Sequence, residues 1–189
     1  LKPQSKIGTS SYRREAQLNL LRNDIEIVAM RGNIDTRISK LKNKEFDAIV
    51  LSLAGVQMLN LKSEVKEIFT TKQMLPAIGQ GAIALQCKKD DKETLEILKS
   101  INDKETFYCI QAERALLEAI GGDCDTAIGG LAKILNGKIF LKSELFSNDG
   151  KKKYEFKSSG HIKEAKKIGY EVGKELLKKA GSNFSVEGN

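Results

Sequence analysis

The sequence predicts an α/β fold in two parts: an α/β layer with parallel strands, then a small α/β domain with an antiparallel three-stranded sheet and helices. Three observations predict it. Up to residue 53, short β-branched runs alternate with helical stretches, and that order requires parallel pairing through crossovers. Beyond residue 126, three strand-like runs are separated by Asn136-Gly137 and Asn148-Asp149-Gly150, which are hairpin turn residues. The chain then closes on an amphipathic stretch over 161–180.

Residues 5–8 read as a short strand or turn, followed by a helix over 12–22. Ile25-Glu26-Ile27-Val28-Ala29-Met30 has the β-branched character of a buried strand. Arg31-Gly32-Asn33 makes a turn, and the Ile34/Ile38/Leu41 spacing predicts a helix over 34–41. Residues 46–53 form the clearest core strand, and Ala54-Gly55 follows its end. In open sheets of this kind, ligands sit beyond the carboxyl ends of the strands. Pro76-Ala77-Ile78-Gly79-Gln80-Gly81-Ala82 is a glycine-punctuated crossing into a strand over 83–87. Helices are expected over 92–101 and 104–120, the second broken by Gly121-Gly122. Strands follow over 127–135, 138–146 and 152–158, with a helix over 161–180.

Composition sets limits on function. With 189 residues, 40% hydrophobic and 30% charged, the chain can bury a core of one large or two small domains. No apolar run approaches the length of a membrane span, and no signal-peptide pattern opens the sequence. Cys87, Cys109 and Cys124 are an odd, widely spaced set without CxxC. Neither a disulfide framework nor a metal site is indicated, and reduced thiols in the cytoplasm are the simple expectation. The net charge of +7 is carried by lysines interleaved with glutamates, and the eleven aromatics include no Trp. A base-stacking nucleic-acid platform is therefore poorly supported, whereas a small polyanionic ligand accounts for the positive bias. The chain begins at Leu1 and not at Met, and Lys2-Pro3-Gln4-Ser5-Lys6 resembles a connecting segment. A piece of something longer is expected.

The chemistry concentrates near the start. Thr9, Ser10 and Ser11 are natural N-cap residues for the first helix. Arg13 and Arg14 in its first turn run against the helix macrodipole, which favours negative charge there. Hydroxyls, free N–H groups and guanidiniums together describe a site for an anion. Arg31 and Arg37 flank Gly32-Asn33-Ile34-Asp35-Thr36 and frame a second turn at a strand end, while Arg22 is expected to face solvent. The planar guanidinium fork suits carboxylate or phosphate better than lysine does. The plainer reading pairs these arginines on the surface with Glu15, Asp24 and Asp35.

Cys87 and Cys109 read as small buried hydrophobes. Cys124 lies in the loop Gly121-Gly122-Asp123-Cys124-Asp125-Thr126, where its sulfur can meet a ligand. The flanking aspartates disfavour a thiolate, so a covalent anchor fits better than a catalytic nucleophile. His161, the single histidine, is read as a solvated residue at a helix start.

The strings GTSSYRRE, RGNIDTR, FDAIVLSLAGV, LPAIGQGAIALQC, AERALL and GGDCDTAIG, in this order and spacing, closely resemble the porphobilinogen deaminase (hydroxymethylbilane synthase) family over essentially the whole chain. The resemblance implies a transferase of tetrapyrrole (haem) biosynthesis, cytoplasmic and usually monomeric. Such an enzyme joins four porphobilinogen units head to tail and releases ammonia at each step. It implies a dipyrromethane cofactor held by a thioether to Cys124, and no metal. Each pyrrole carries an acetate and a propionate. By the same resemblance, Arg13, Arg14, Arg31 and Arg37 bind those carboxylates, with Thr9, Ser10, Ser11, Gly32 and Asn33 supplying hydroxyl and backbone contacts. The partners are porphobilinogen and the growing linear polypyrrole, with no nucleic acid and no membrane.

The resemblance also implies a domain map. Residues 1–75 correspond to a second, periplasmic-binding-protein-like α/β domain. Residues 76–101 are a hinge and a segment returning to a first domain, and 102–189 are the cysteine-bearing domain. The family's catalytic aspartate belongs to that first domain, and no residue of this sequence matches it. The chain by itself is expected to show little turnover, with the apolar residues Ile83 and Leu85 exposed. Two departures stand out: Gln57-Met58 where a basic residue is common, and Asp123 where a glycine usually precedes the cysteine. A non-catalytic anion-binding α/β module is the alternative, sharing the arginines but needing no cysteine.

Overall fold

The computed structural model describes residues 1–123, 125–181 and 184. Strand β1 (Lys6–Gly8) leads into α1 (Tyr12–Leu21), followed by β2 (Glu26–Val28), α2 (Ile34–Lys42), β3 (Ala48–Ile49) and α3 (Leu53–Met58). After a long connection come α4 (Lys92–Ile101) and α5 (Lys104–Ile120), then β4 (Ile128–Leu135), β5 (Lys138–Phe146), β6 (Lys153–His161) and α6 (Ala165–Ala180). The fold is mixed α/β, with a three-stranded sheet in each half.

The chain forms two compact units. The first comprises Leu1–Met74 with Asp125–Ala127 and Phe146–Lys153; the second comprises Leu75–Cys124, Ile128–Leu145 and Tyr154–Asn189. In the first unit the sheet order is β2-β1-β3, all parallel, with Ile7 opposite both Ile27 and Ala48. Ile7, Ala16, Leu18, Met30, Ile38, Val56 and Phe146 are among its buried apolar residues. Each helix starts where a short polar side chain accepts an otherwise unpaired N–H. Ser11 caps α1 through Arg14, Asn33 caps α2 through Thr36, and Ser52 caps α3 through Gly55.

In the second unit β5 lies between β4 and β6, and β4 pairs antiparallel with β5 from Ile128↔Leu145 to Leu135↔Lys138. The Asn136-Gly137 turn has both residues in the left-handed region, at φ 51° and 71°, as a two-residue hairpin requires. Helices α5 and α6 pack closely: a Cβ on Gly169 or Gly173 would strike the backbone of α5 at Ala112 and Leu116. Ala112, Leu116, Ile120, Ile128, Ile139, Leu141, Leu145, Ile168, Val172 and Leu176 share one buried cluster.

Three expectations are corrected. The strand over 46–53 contracts to Ala48–Ile49, because it is an edge strand held only by β1 and its continuation turns at the Ser52 cap into α3. Residues 83–87 form no strand, since no neighbour among the described residues offers them a ladder, and Ile83 and Leu85 are 92% and 60% exposed. The helix expected over 161–180 is α-helical only from Ala165; His161 ends β6, and its Nδ1 accepts the N–H of Lys163 and caps the single 3₁₀ turn that leads into α6.

Candidate anion-binding site

The carboxyl ends of the three parallel strands converge in the first unit, and side-chain bonds lace them together. Beyond β1, the Ser10 hydroxyl donates to the Met30 carbonyl at 2.7 Å and accepts the Met30 N–H at 2.9 Å, fixing the end of β1 to the end of β2. Thr9 is buried; its N–H donates to Val28 and its hydroxyl accepts from Ser11 N–H. Beyond β3, the Val50 carbonyl accepts from Nη1 of Arg14 at 3.0 Å. The first turn of α1 is thus tied to the far side of the sheet.

Three of the four predicted arginines influence one another. Arg13 is 5% exposed, and burial, with the charge of Arg14, pulls its guanidinium down to about 10. Arg14 is half-buried and lowered by burial and by Arg37. The Arg37 Nε donates to the Gly32 carbonyl at 2.8 Å, which holds the side chain back over the start of α2. Gly32 sits at φ 118°, and a Cβ there would press on Thr36 at 2.9 Å, so the turn needs glycine. Asn33 Oδ1 accepts both the N–H and the hydroxyl of Thr36. Clustered guanidiniums gain from an anion placed between them. They offer planar forks for carboxylates, so the residues present fit a polycarboxylate ligand.

Arg31 is exposed at the end of β2. Arg22 is exposed and paired with Asp24 at 2.6 Å, which takes Asp24 away from the cluster. Cys124 lies outside the described residues. The helix that ends before its loop stops at Gly121 in the left-handed conformation, φ 72°, with the Gly122 N–H returning to the Leu117 carbonyl. Gln57 and Met58 are both exposed. Cys109 is half-buried, and burial with the nearby charge of Glu113 pushes its thiol up, which disfavours the thiolate.

Sequence reasoning missed one acceptor in this site and one buried acid outside it. The Val50 carbonyl is a backbone acceptor and leaves no residue-type signal. Glu113 did leave one: an acidic residue at helical spacing among Cys109, Ala112, Leu116 and Ile120. It is 4% exposed and accepts two backbone N–H groups.

Residues 1–96 match the family model described as porphobilinogen deaminase, dipyromethane cofactor binding domain, and residues 107–178 match porphobilinogen deaminase, C-terminal domain. The chain is similar to the porphobilinogen deaminase of Syntrophomonas wolfei, 39% identical over 181 residues, covering 96% of this chain and 59% of that protein. It is similar to that of Coxiella burnetii, 40% identical over 187 residues, covering 99% and 61%. It is also similar to that of Macrococcus caseolyticus, 45% identical over 161 residues, covering 85% and 52%. The chain spans about three fifths of the length of the first two relatives.

Proposed function

Because this chain belongs to the porphobilinogen deaminase family, we propose that it forms the carboxylate-binding wall of an enzyme condensing four porphobilinogen units head to tail with release of ammonia. The observation that carries this reading is the set of guanidiniums of Arg13, Arg14 and Arg37, drawn together beyond the ends of three parallel strands. On this reading a dipyrromethane is joined by a thioether to Cys124 and supplies the pyrrole terminus on which the chain grows.

The residues present act by holding. Arg13, Arg14, Arg31 and Arg37 take the acetate and propionate groups, each through a charge-assisted fork. Thr9, Ser11, Gly32 and Asn33 border the same carboxylates. Ser10 has a smaller part than its neighbours, because its hydroxyl proton is committed to Met30. Carboxylates gripped at fixed points place the reacting carbons, and positioning of this kind is a large part of catalysis. Arg14 is preorganised by Val50 and Arg37 by Gly32, so little side-chain entropy is lost on binding.

The same reading divides the chain into a periplasmic-binding-protein-like α/β domain over 1–75, a hinge and returning segment over 76–101, and a cysteine-bearing domain over 102–189. It places the enzyme in the cytoplasm. No described helix is long and apolar enough to cross a membrane.

Intact-mass analysis after incubation with porphobilinogen tests it. The expected result is a pyrrole adduct on Cys124 that is absent from Cys124→Ser, with a melting temperature that rises with porphobilinogen concentration. A rise in melting temperature without an adduct favours a non-catalytic anion-binding module. Neither effect overturns both readings.

A further inference from the structure

Glu113 is a buried acid for which the carboxylate-binding site has no use. It lies on the interior face of α5 at 4% exposure. Its Oε2 accepts the N–H of Gly79 at 2.7 Å, and its Oε1 accepts the N–H of Ala132 at 2.9 Å. These donors belong to separate segments: Gly79 to the connector over 75–82, and Ala132 to β4.

Strand β4 is at the edge of its sheet, and an unpaired edge needs cover. Gly130 donates its N–H to the Pro76 carbonyl at 3.0 Å. Two residues on, and so on the same edge, Ala132 donates to Glu113. The carboxylate therefore extends along β4 the bonding that the connector's carbonyl begins. The connector lies close for the same reason: Leu75 would meet a Cβ on Gly129 at 3.0 Å, and Ile78 would strike one on Gly130.

This arrangement is costly. Burial raises the Glu113 carboxyl, and the two backbone hydrogen bonds offset that only in part. An apolar residue of similar volume avoids the desolvation penalty, yet it can accept neither N–H. What the carboxylate adds is register between segments distant in sequence. Helix α5 and strand β4 are also the two stems of the loop over 121–127.

We propose that Glu113 is a positioning residue, a three-way tie that sets the connector, α5 and β4 in register and thereby governs the loop over 121–127. The consequence for cofactor attachment rests on the reading above that this loop carries the anchoring cysteine; the tie itself does not.

Two measurements on the 189-residue chain test it. In an NMR pH titration, the amide protons of Gly79 and Ala132 are expected to shift with the same midpoint as the Glu113 carboxyl carbon. Among the described residues, the charge of Glu113 acts on Cys109, one turn earlier on α5, whose thiol is pushed up and away from that range. The connector over 75–82 holds no titratable side chain. Amide protons with unrelated midpoints overturn the tie.

The second measurement uses Glu113→Gln, which keeps the shape but turns one acceptor into a donor. Amide exchange at Gly79 or Ala132 should quicken by about tenfold or more, while the buried amides of β5 and α6 stay within about threefold. Alkylation of Cys124 by iodoacetamide, followed by peptide mass, should change by about threefold or more. Equal acceleration throughout the core, or an unchanged alkylation rate, overturns the proposal. Loss of the pyrrole adduct on Cys124 without these changes bears on the preceding reading alone.

Discussion

Arg14 donates from Nη1 to the carbonyl of Val50 at 3.0 Å, across 36 positions of sequence. That bond explains how a guanidinium in the first turn of a helix, where the macrodipole opposes it, is kept half-buried and aimed over the sheet. It also keeps Arg14 where its charge acts on Arg13 and is acted on by Arg37.

Arg14→Lys therefore separates charge from geometry. Lysine keeps the positive charge but presents no planar fork. Binding of porphobilinogen, measured by calorimetry, should weaken by about tenfold or more, consistent with losing one charge-assisted contact. The chain's unfolding midpoint should move little by comparison. An affinity equal to that of the unaltered chain would show that Arg14 does not touch the ligand.

Ser10→Ala addresses the scaffold. The hydroxyl exchanges two hydrogen bonds with Met30, a residue 1% exposed. Removing it leaves the Met30 N–H and carbonyl without that partner, at a cost of about 1–2 kcal/mol. Urea denaturation should show the loss, with porphobilinogen affinity falling far less than in Arg14→Lys. A stability unchanged by Ser10→Ala would mean that water replaces the hydroxyl at no cost.

Much of this architecture was legible because its signals are local. The helix expected over 104–120 and the strand expected over 138–146 coincide with α5 and β5. Asp103 and Gly121 mark the ends of the first, and alternation with Asn136-Gly137 marks the second. Tertiary context decided the failures. An apolar run such as 46–53 does not reveal that its last residue opens a helix capped by Ser52. The run over 83–87 has strand character but no neighbour to pair with among the described residues. In the candidate site, arginines placed against the macrodipole gave the cluster away. The commitment of Ser10 to Met30, and of Glu113 to two amides, depended on segments far apart in sequence.

Gly169→Ala tests the α5–α6 contact. A Cβ at Gly169 would strike the Ala112 carbonyl oxygen, a backbone atom that can move only if the helices part. The loss should be about 3 kcal/mol or more. At Gly81 a Cβ meets nothing within 4 Å, so Gly81→Ala is the control, expected within about 0.5 kcal/mol of the unaltered chain. Equal effects at the two glycines would show that the helices are not packed this closely.

Glu113 gives a pH dependence whose sign follows from its burial. Its folded-state pKa is raised above the reference value of 4.5, chiefly by desolvation. Between the unfolded value and the raised one, the folded chain binds more protons than the unfolded chain, so this group's contribution to stability falls as pH rises. Glu113→Gln cannot ionise, and its lost hydrogen bond is a constant offset across the range. The other carboxylates titrate alike in both proteins and cancel in the difference. The stability of the unaltered chain minus that of Glu113→Gln should therefore decrease as pH rises from the reference value of 4.5 through the raised one, measured as paired urea midpoints. A difference that grows with pH would mean that the N–H groups of Gly79 and Ala132 outweigh desolvation and hold the carboxylate ionised.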